Sequence, residues 1–214
     1  MKLYQDLHPS GEDTAVALGV FDGLHMGHRR VITAAMGGPE APAVFTFQTD
    51  ILREGGKGAP VLLPQDRKLE LLGELGVELC WSIPFSLIRE MEAERFVREV
   101  LVGVCRAKRV CCGFNFHFGK NGAGSVQDLV RLGDELGFSV TVQEPVLLAG
   151  KPVSSTRIRS LIAQGEIEEA NRLLGRPFSY DFPVEHGRQL GRTLGFPTVT
   201  QPIPPGVILP RFGV

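Results

Sequence analysis

One segment constrains this chain more than any other. An apolar run, Ala15-Val16-Ala17-Leu18, leads into Gly19-Val20-Phe21-Asp22-Gly23-Leu24-His25-Met26-Gly27-His28. The run reads as a buried strand, and Val31, Ile32, Ala35 and Met36 then recur at helical spacing. A strand therefore ends, a glycine-rich turn follows, and a helix starts with the two histidines near its first turn. A helix N-terminus offers unpaired amides and a partial positive charge, and both suit an anion. Gly19, Gly23 and Gly27 let the backbone turn tightly and approach a ligand. His25 and His28, three residues apart, can face one side and donate to phosphate oxygens. A glycine-rich turn after a strand is common, but histidines between the glycines are poor packing material, because imidazole is costly to bury unpaired.

The same alternation continues along the chain. Ala43–Phe47, Glu78–Ile83, Arg109–Cys112 and Phe138–Val142 read as further strands. Helical patterns lie between them: one opening at Pro64 with Leu69, Leu71, Leu72 and Leu75, one through Ala93, Phe96, Val97, Val100 and Leu101, and one capped by Ser125. Strands alternating with helices imply a parallel, doubly wound α/β sheet whose ligands sit beyond the carboxyl ends of the strands. The turn at Gly19 and a loop with three phenylalanines, Gly113-Phe114-Asn115-Phe116-His117-Phe118-Gly119, both open on that edge.

A second chemical stretch, Ser154-Ser155-Thr156-Arg157-Ile158-Arg159, places three hydroxyls and two arginines at the start of a helix ending at Gly165. Hydroxyls, guanidinium groups and helix amides together make a phosphate site. An ordinary capped helix with solvated arginines explains the stretch equally well until the histidine turn is set beside it.

Charge gives no reason to expect nucleic acid as a partner, since 23 basic residues meet 24 acidic ones. Cys80, Cys105, Cys111 and Cys112 lack paired C-x-x-C spacing, which argues against zinc and fits a reducing compartment. Cys111 and Cys112, adjacent in a strand, should point to opposite faces. The N-terminus lacks a signal-peptide core and no run reaches membrane-spanning length, so a cytoplasmic chain without membrane contact is expected.

Taken together, Gly19-x-Phe21-Asp22-Gly23-x-His25-x-Gly27-His28, Gly113-x-Asn115-Phe116-x-Phe118-Gly119, Ser154-Ser155-Thr156-x-Ile158-Arg159 and Leu173-Leu174-Gly175-Arg176-Pro177-Phe178 resemble the bacterial bifunctional riboflavin kinase/FMN adenylyltransferase (FAD synthetase) family. The resemblance implies a Rossmann-like doubly wound parallel sheet of the nucleotidylyltransferase type over residues 1–177. An incomplete β-barrel remnant of a riboflavin kinase module would follow over residues 178–214. It implies AMP transfer from ATP to FMN with release of pyrophosphate. His25, His28 and Arg159 would be catalytic. ATP would be bound by Gly19, Phe21, Asp22, Gly23, His25, Gly27, His28, Ser154, Ser155, Thr156 and Arg159. Phe47, Asn115, Phe116 and Phe118 would line the flavin slot, although phenylalanines also serve as core filling. Mg²⁺ is expected mainly through the ATP phosphates, since it keeps much of its own water.

Two departures qualify the expectation. The family usually continues Thr46-Phe47 as Thr-Phe-x-Pro-x-Pro, whereas Thr49 and Ile51 stand in place of the prolines. The acceptor loop should be looser, which leaves open another phosphate acceptor, or a non-catalytic paralogue that only binds flavin nucleotide. In the tail, Gly191, Thr198 and Thr200 mark the kinase remnant, and the family's Pro-Thr-Ala-Asn reads Pro197-Thr198-Val199-Thr200. With the segment stopping at Val214, riboflavin kinase activity is expected to be absent. A remnant this short should pack on the first module, associate with a second copy or stay partly disordered.

Overall fold

The computed structural model describes residues 1–48, 58–188 and 190–212. Its centre is one parallel six-stranded sheet: β1 (Lys2–Tyr4), β2 (Thr14–Leu18), β3 (Ala41–Phe47), β4 (Leu79–Ile83), β5 (Ala107–Gly113) and β6 (Ser139–Gln143), in the spatial order β1-β4-β3-β2-β5-β6. The expected doubly wound fold is present. Four helices cover its faces: α1 (Met26–Thr33), α2 (Gln65–Glu74), α3 over residues 93–104 and α4 (Val126–Leu136). Two more, α5 (Ser155–Gln164) and α6 (Ile167–Leu174), follow a small antiparallel pair, β7 (Leu147–Leu148) and β8 (Lys151–Pro152).

Burial on both faces follows from the period-2 alternation of each strand. Val16, Leu18, Phe45, Trp81 and Cys112 pack on one side against Phe96, Val100 and Leu129 of α3 and α4. Ala15, Ala17, Val44, Cys80 and Cys111 pack on the other against Val31, Ile32 and Leu72 of α1 and α2. Cys111 and Cys112 thus point to opposite faces, and all four cysteines are free and buried. Trp81 is closed off from solvent, with its indole donating to the His8 carbonyl at 2.9 Å.

Two local features differ from the sequence expectation, and the start of α1 gains a detail. β1 is an edge strand that pairs with β4 and buries only Tyr4, too little to leave a pattern. The helix after the glycine turn does carry both histidines at its start: it begins at Met26, His25 itself caps it and His28 lies in its first turn. The pattern through Ala93–Leu101 forms a helix whose first turn, Ala93–Arg95, is α and whose remainder, Phe96–Val104, has wider π geometry.

The strand order reverses at β2, which lies between β3 and β5. Chains leaving β2 and β5 therefore diverge and open a crevice at their carboxyl ends, where Gly19 and Gly113 stand. The replaced prolines at Thr49 and Ile51 lie outside the described residues.

The tail, beyond α6, is tied to the sheet domain rather than standing apart. Val61 forms a parallel bridge with Val207, and Ile208 packs with Leu62, Val153, Ile158 and Ile162. The Tyr180 hydroxyl donates to the Ile208 carbonyl. Within the tail are a short helix, α7 (Leu190–Thr193), and a bridge between Glu185 and Thr200. Phe196 and Val199 remain 79% and 73% exposed, so this segment buries little of its own apolar surface.

Candidate active site

The turn between β2 and α1 is pinned at nearly every carbonyl. Thr46 Oγ1 donates to Val20 O at 2.9 Å, and the Leu24 amide to Phe21 O at 3.3 Å. Ser155 Oγ donates to Asp22 O at 2.8 Å, and the Arg176 guanidinium to Gly23 O at 2.9 Å. The backbone inside this frame is left-handed at Phe21 (φ 54°), Gly23 (φ 85°) and Leu24 (φ 41°). For Phe21 and Leu24 that conformation costs on the order of 1–2 kcal/mol each, which the hydrogen bonds offset. Gly23 is required twice over, since a Cβ there would also lie 2.8 Å from Leu62 Cδ1.

The histidines emerge from this frame in fixed positions. The His28 amide donates to His25 Nδ1 at 3.2 Å, so the neutral His25 ring carries its proton on Nε2 and presents a donor. The two rings stack with centroids 3.6 Å apart, and the edge of Phe21 meets His28 at 5.4 Å. Burial pushes His25 down to about 4 and, reinforced by the nearby His25, Lys68 and Arg159 charges, holds His28 well below its ordinary value. Both rings are neutral at pH 7. His28 Nδ1 is buried without a hydrogen-bond partner among the described residues. Gly27 belongs to this arrangement, because a Cβ at that position would lie 3.2 Å from the His25 ring.

Two clefts meet here. One, of about 400 Å³, is mostly apolar and is walled by Gly19, Phe21, His28, Phe47, Asn115, Phe116 and Phe118, with Phe45, Phe85 and Phe96 completing its aromatic lining. The other, of about 240 Å³, is walled by His25, Gly27, His28, Ser154, Ser155, Gln143 and Glu144. His28, Val31, Gly113 and Asn115 belong to both. An apolar slot joined to a polar one bearing a helix N-terminus suits a ligand with a flat aromatic end, beside a second ligand rich in phosphate.

Most of the expected site residues divide accordingly, but Gly19 and Phe21, expected with ATP, line the apolar cleft, and Gly23 lines neither because its place is in the turn itself. Phe47, Asn115, Phe116 and Phe118 converge on the apolar cleft, while Ser154 and Ser155 join the histidines in the polar one. Ser154 also caps α5, accepting from the Arg157 amide at 3.2 Å. Thr156 is exposed and lines neither cleft.

Asp22 and Arg159 are placed behind the turn, where they bind each other at 2.5 Å. Asp22 also accepts from the Leu62 amide at 3.0 Å, and Arg159 Nε donates to Pro60 O at 2.7 Å. Burial holds the Asp22 carboxyl above its ordinary range despite the opposing Arg159. These groups lock the segment around Leu62 onto the turn, a reason for their types that the sequence motif alone does not reveal.

Gly191, Thr198 and Thr200 line a small cleft of about 230 Å³ within the tail. Among the described residues no three His, Cys, Asp or Glu side chains come together as a metal site. With Asp22 spent on Arg159 and Leu62, Glu144 is the carboxylate on the polar cleft.

Lys68 and Arg176 were not evident as parts of this region from the motifs. Lys68 is 1% exposed, donates to the Phe47 carbonyl at 2.6 Å, and is pushed down to about 8 by burial. Its signal was present: Lys68, Leu71, Leu72 and Leu75 share helical phase, placing a cation on an apolar face.

A family model described as FAD synthetase matches residues 7–157, and one described as riboflavin kinase matches residues 174–214. The chain belongs to the FAD synthetase family. The bifunctional riboflavin kinase/FMN adenylyltransferase of Listeria monocytogenes is 36% identical over 207 residues, which is 93% of this chain and 65% of that protein. The Bacillus subtilis protein of the same description is 30% identical over 211 residues, covering 94% of this chain and 66% of that one. This chain thus spans just under two thirds of these FAD synthetase relatives. A Streptococcus pneumoniae crystal structure described as a macrolide-efflux protein superposes with a TM-score of 0.85 at 28% identity, over 99% of this chain and 71% of that one. A pantoate–β-alanine ligase from Francisella tularensis, at 14% identity and a TM-score of 0.51 over 91% of this chain and 85% of that one, shares the fold alone. Among the described residues no helix is long and apolar enough to cross a membrane.

Proposed function

We propose that residues 1–177 form an FMN adenylyltransferase that transfers AMP from ATP to FMN. The observation that carries this reading is the position of His28 on the wall of both clefts. The isoalloxazine ring occupies the aromatic cleft, and the ATP polyphosphate lies over the start of α1 and between the histidines and Ser154–Ser155. A phosphate oxygen of FMN attacks the α-phosphorus in line, the bond to the β-phosphate bridging oxygen breaks, and that oxygen leaves with pyrophosphate. No covalent enzyme intermediate is required, so catalysis rests on alignment and on stabilising charge.

His25 supports the departing pyrophosphate through its Nε2 proton. Phosphate anions beside the stacked rings raise the proton affinity of His28, so that substrate binding favours a cation where negative charge collects. Asp22 and Arg159 hold the turn that presents both rings. Mg²⁺ would be held mainly by the ATP phosphates, with Glu144 as the carboxylate of the polar cleft, and would neutralise part of their charge. Residues 178–214 are read as the first part of a riboflavin kinase module that packs on the first and offers apolar surface for self-association. The proposed setting is the cytoplasm, with small-molecule substrates and no nucleic acid.

The test is product chromatography after incubation with ATP, Mg²⁺ and FMN, with riboflavin and other phosphate monoesters as separate acceptors. FAD and pyrophosphate in equal amounts are expected from the FMN arm. Adenylylation of another phosphate acceptor with none of FMN would overturn the acceptor assignment, and no pyrophosphate in any arm would overturn the enzyme reading.

A further inference from the structure

Arg176 lies outside the segment that matches FAD synthetase (7–157) and inside the one that matches riboflavin kinase (174–214). Its side chain nevertheless turns back to the first site. Nη2 donates to Gly23 O at 2.9 Å and Nη1 to Leu24 O at 3.4 Å. Those carbonyls belong to the two residues immediately before His25, and both have positive φ, 85° and 41°.

Leu24 is a branched side chain in a backbone region that favours glycine, so it stays there only if its surroundings hold it. Its own amide bonds back to Phe21 O at 3.3 Å, but its carbonyl, which begins the peptide leading to His25, is held by Arg176. Rotation at Leu24 would swing the His25 backbone, and with it the ring that caps α1 and stacks on His28. The guanidinium is planar and can serve two adjacent carbonyls at once, which an ammonium cannot do with the same geometry.

The opposite side of Arg176 faces a cleft of about 460 Å³ shared with Leu24, Arg29, Arg67 and Glu74. That cleft has no residue in common with the two that meet at His28, so Arg176 does not line them. We propose that Arg176, supplied by the junction between the two matched segments, is a positioning residue for adenylyl transfer, holding the left-handed Gly23–Leu24 turn that orients the His25–His28 pair. The inference rests on the adenylyl-transfer reading for its kinetic consequence, but its geometric content stands by itself.

The variants are Arg176→Ala and Arg176→Lys, with Arg172→Ala as control. Arg172 lies on α6, is 70% exposed and pairs only with Glu169 among the described residues. Two readouts are taken on folded protein, verified by thermal melting. The first is kinetic: Arg176→Ala should lower kcat by about 10- to 100-fold while the KM for FMN stays within about twofold, because misplacement affects the reacting phosphates rather than the flavin slot. Arg176→Lys should fall between parent and Ala, and Arg172→Ala should match the parent. The second readout is the imidazole NMR resonances, assigned by single His→Gln changes. In Arg176→Ala those of His25 and His28 should shift while His8, His117 and His186 stay put. Unchanged His25 and His28 resonances, or a kcat within twofold of the parent, would overturn the proposal. Should the parent make no FAD, the functional reading falls, and the imidazole resonances alone decide for or against Arg176.

Discussion

His28 lies nearly flat against His25, with 18° between the ring planes, and its amide bonds to the ring it stacks on. Neither ring can take a proton without placing a charge in a buried, cation-flanked pair. Burial holds His25 at about 4, whereas an unfolded histidine titrates near 6.5. Above pH 6.5 both states are neutral and stability is complete. As pH falls from there toward 4 the unfolded chain takes up a proton that the folded one refuses, so stability declines, by up to about 3 kcal/mol from His25. Thermal melting between pH 7 and pH 4.5 should show the decline, and His25→Gln should reduce its slope, leaving the share that His28 contributes in the same direction. An equal slope in the variant would place the acid sensitivity elsewhere.

Gly27 makes room for the His25 ring. Alanine inside a helix ordinarily gains about 1 kcal/mol over glycine. Here its Cβ would lie 3.2 Å from the His25 ring. Gly27→Ala should therefore push the His25 ring from its place and lose most of its turnover, while in the melting temperature the strained cap of α1 opposes the gain in helix propensity. His28→Ala should cost on the order of 10²-fold in turnover while FMN binding, followed by flavin fluorescence, changes far less. Loss of FMN binding with an intact rate would reverse the assignment of the two clefts.

Two phenylalanines of the aromatic cleft should behave differently. Phe118 is 6% exposed and its ring would meet a Cβ on Gly124 at 2.8 Å, so Phe118→Ala should cost about 3–5 kcal/mol of stability. Phe116 stacks on Phe118 at 5.8 Å from a half-buried position. Phe116→Ala should leave the melting temperature nearly unchanged and weaken FMN while sparing ATP. Calorimetry with each nucleotide distinguishes these outcomes.

Arg159→Ala would strand the Asp22 carboxylate, which is 4% exposed, with the Leu62 amide as its remaining partner. Removing one member of a buried ion pair costs about 3–5 kcal/mol. A substantial drop in denaturation midpoint is expected together with lost activity. Lost activity at parental stability would instead put Arg159 in direct contact with phosphate.

Much of this was readable beforehand, and the exceptions have physical causes. The buried strands announced themselves because both faces are covered, so Thr14–Leu18 is apolar nearly throughout. β1 escaped because three residues with one buried side chain carry no periodicity. The start of α1 was legible from the histidines, but its cap was not, because an imidazole nitrogen of His25 lies outside the usual Ser, Thr, Asp and Asn set. The turn, the phenylalanine loop and the serines of α5 were each visible as motifs, but their convergence depends on the strand order, which no local pattern encodes. Arg159 was legible as a cation at a helix start. That it serves Asp22 rather than a cleft depends on residues more than a hundred positions away. Arg176 was hidden for the same reason: its partners are two carbonyls, and backbone acceptors leave no trace in side-chain identity.

The most direct measurement follows radiolabelled ATP through a single turnover with FMN. Label at the α-phosphorus should appear in FAD, and label at the γ-phosphorus in pyrophosphate. Transfer of γ-label to flavin, or no label in flavin from either position, would contradict adenylyl transfer at the His25–His28 pair.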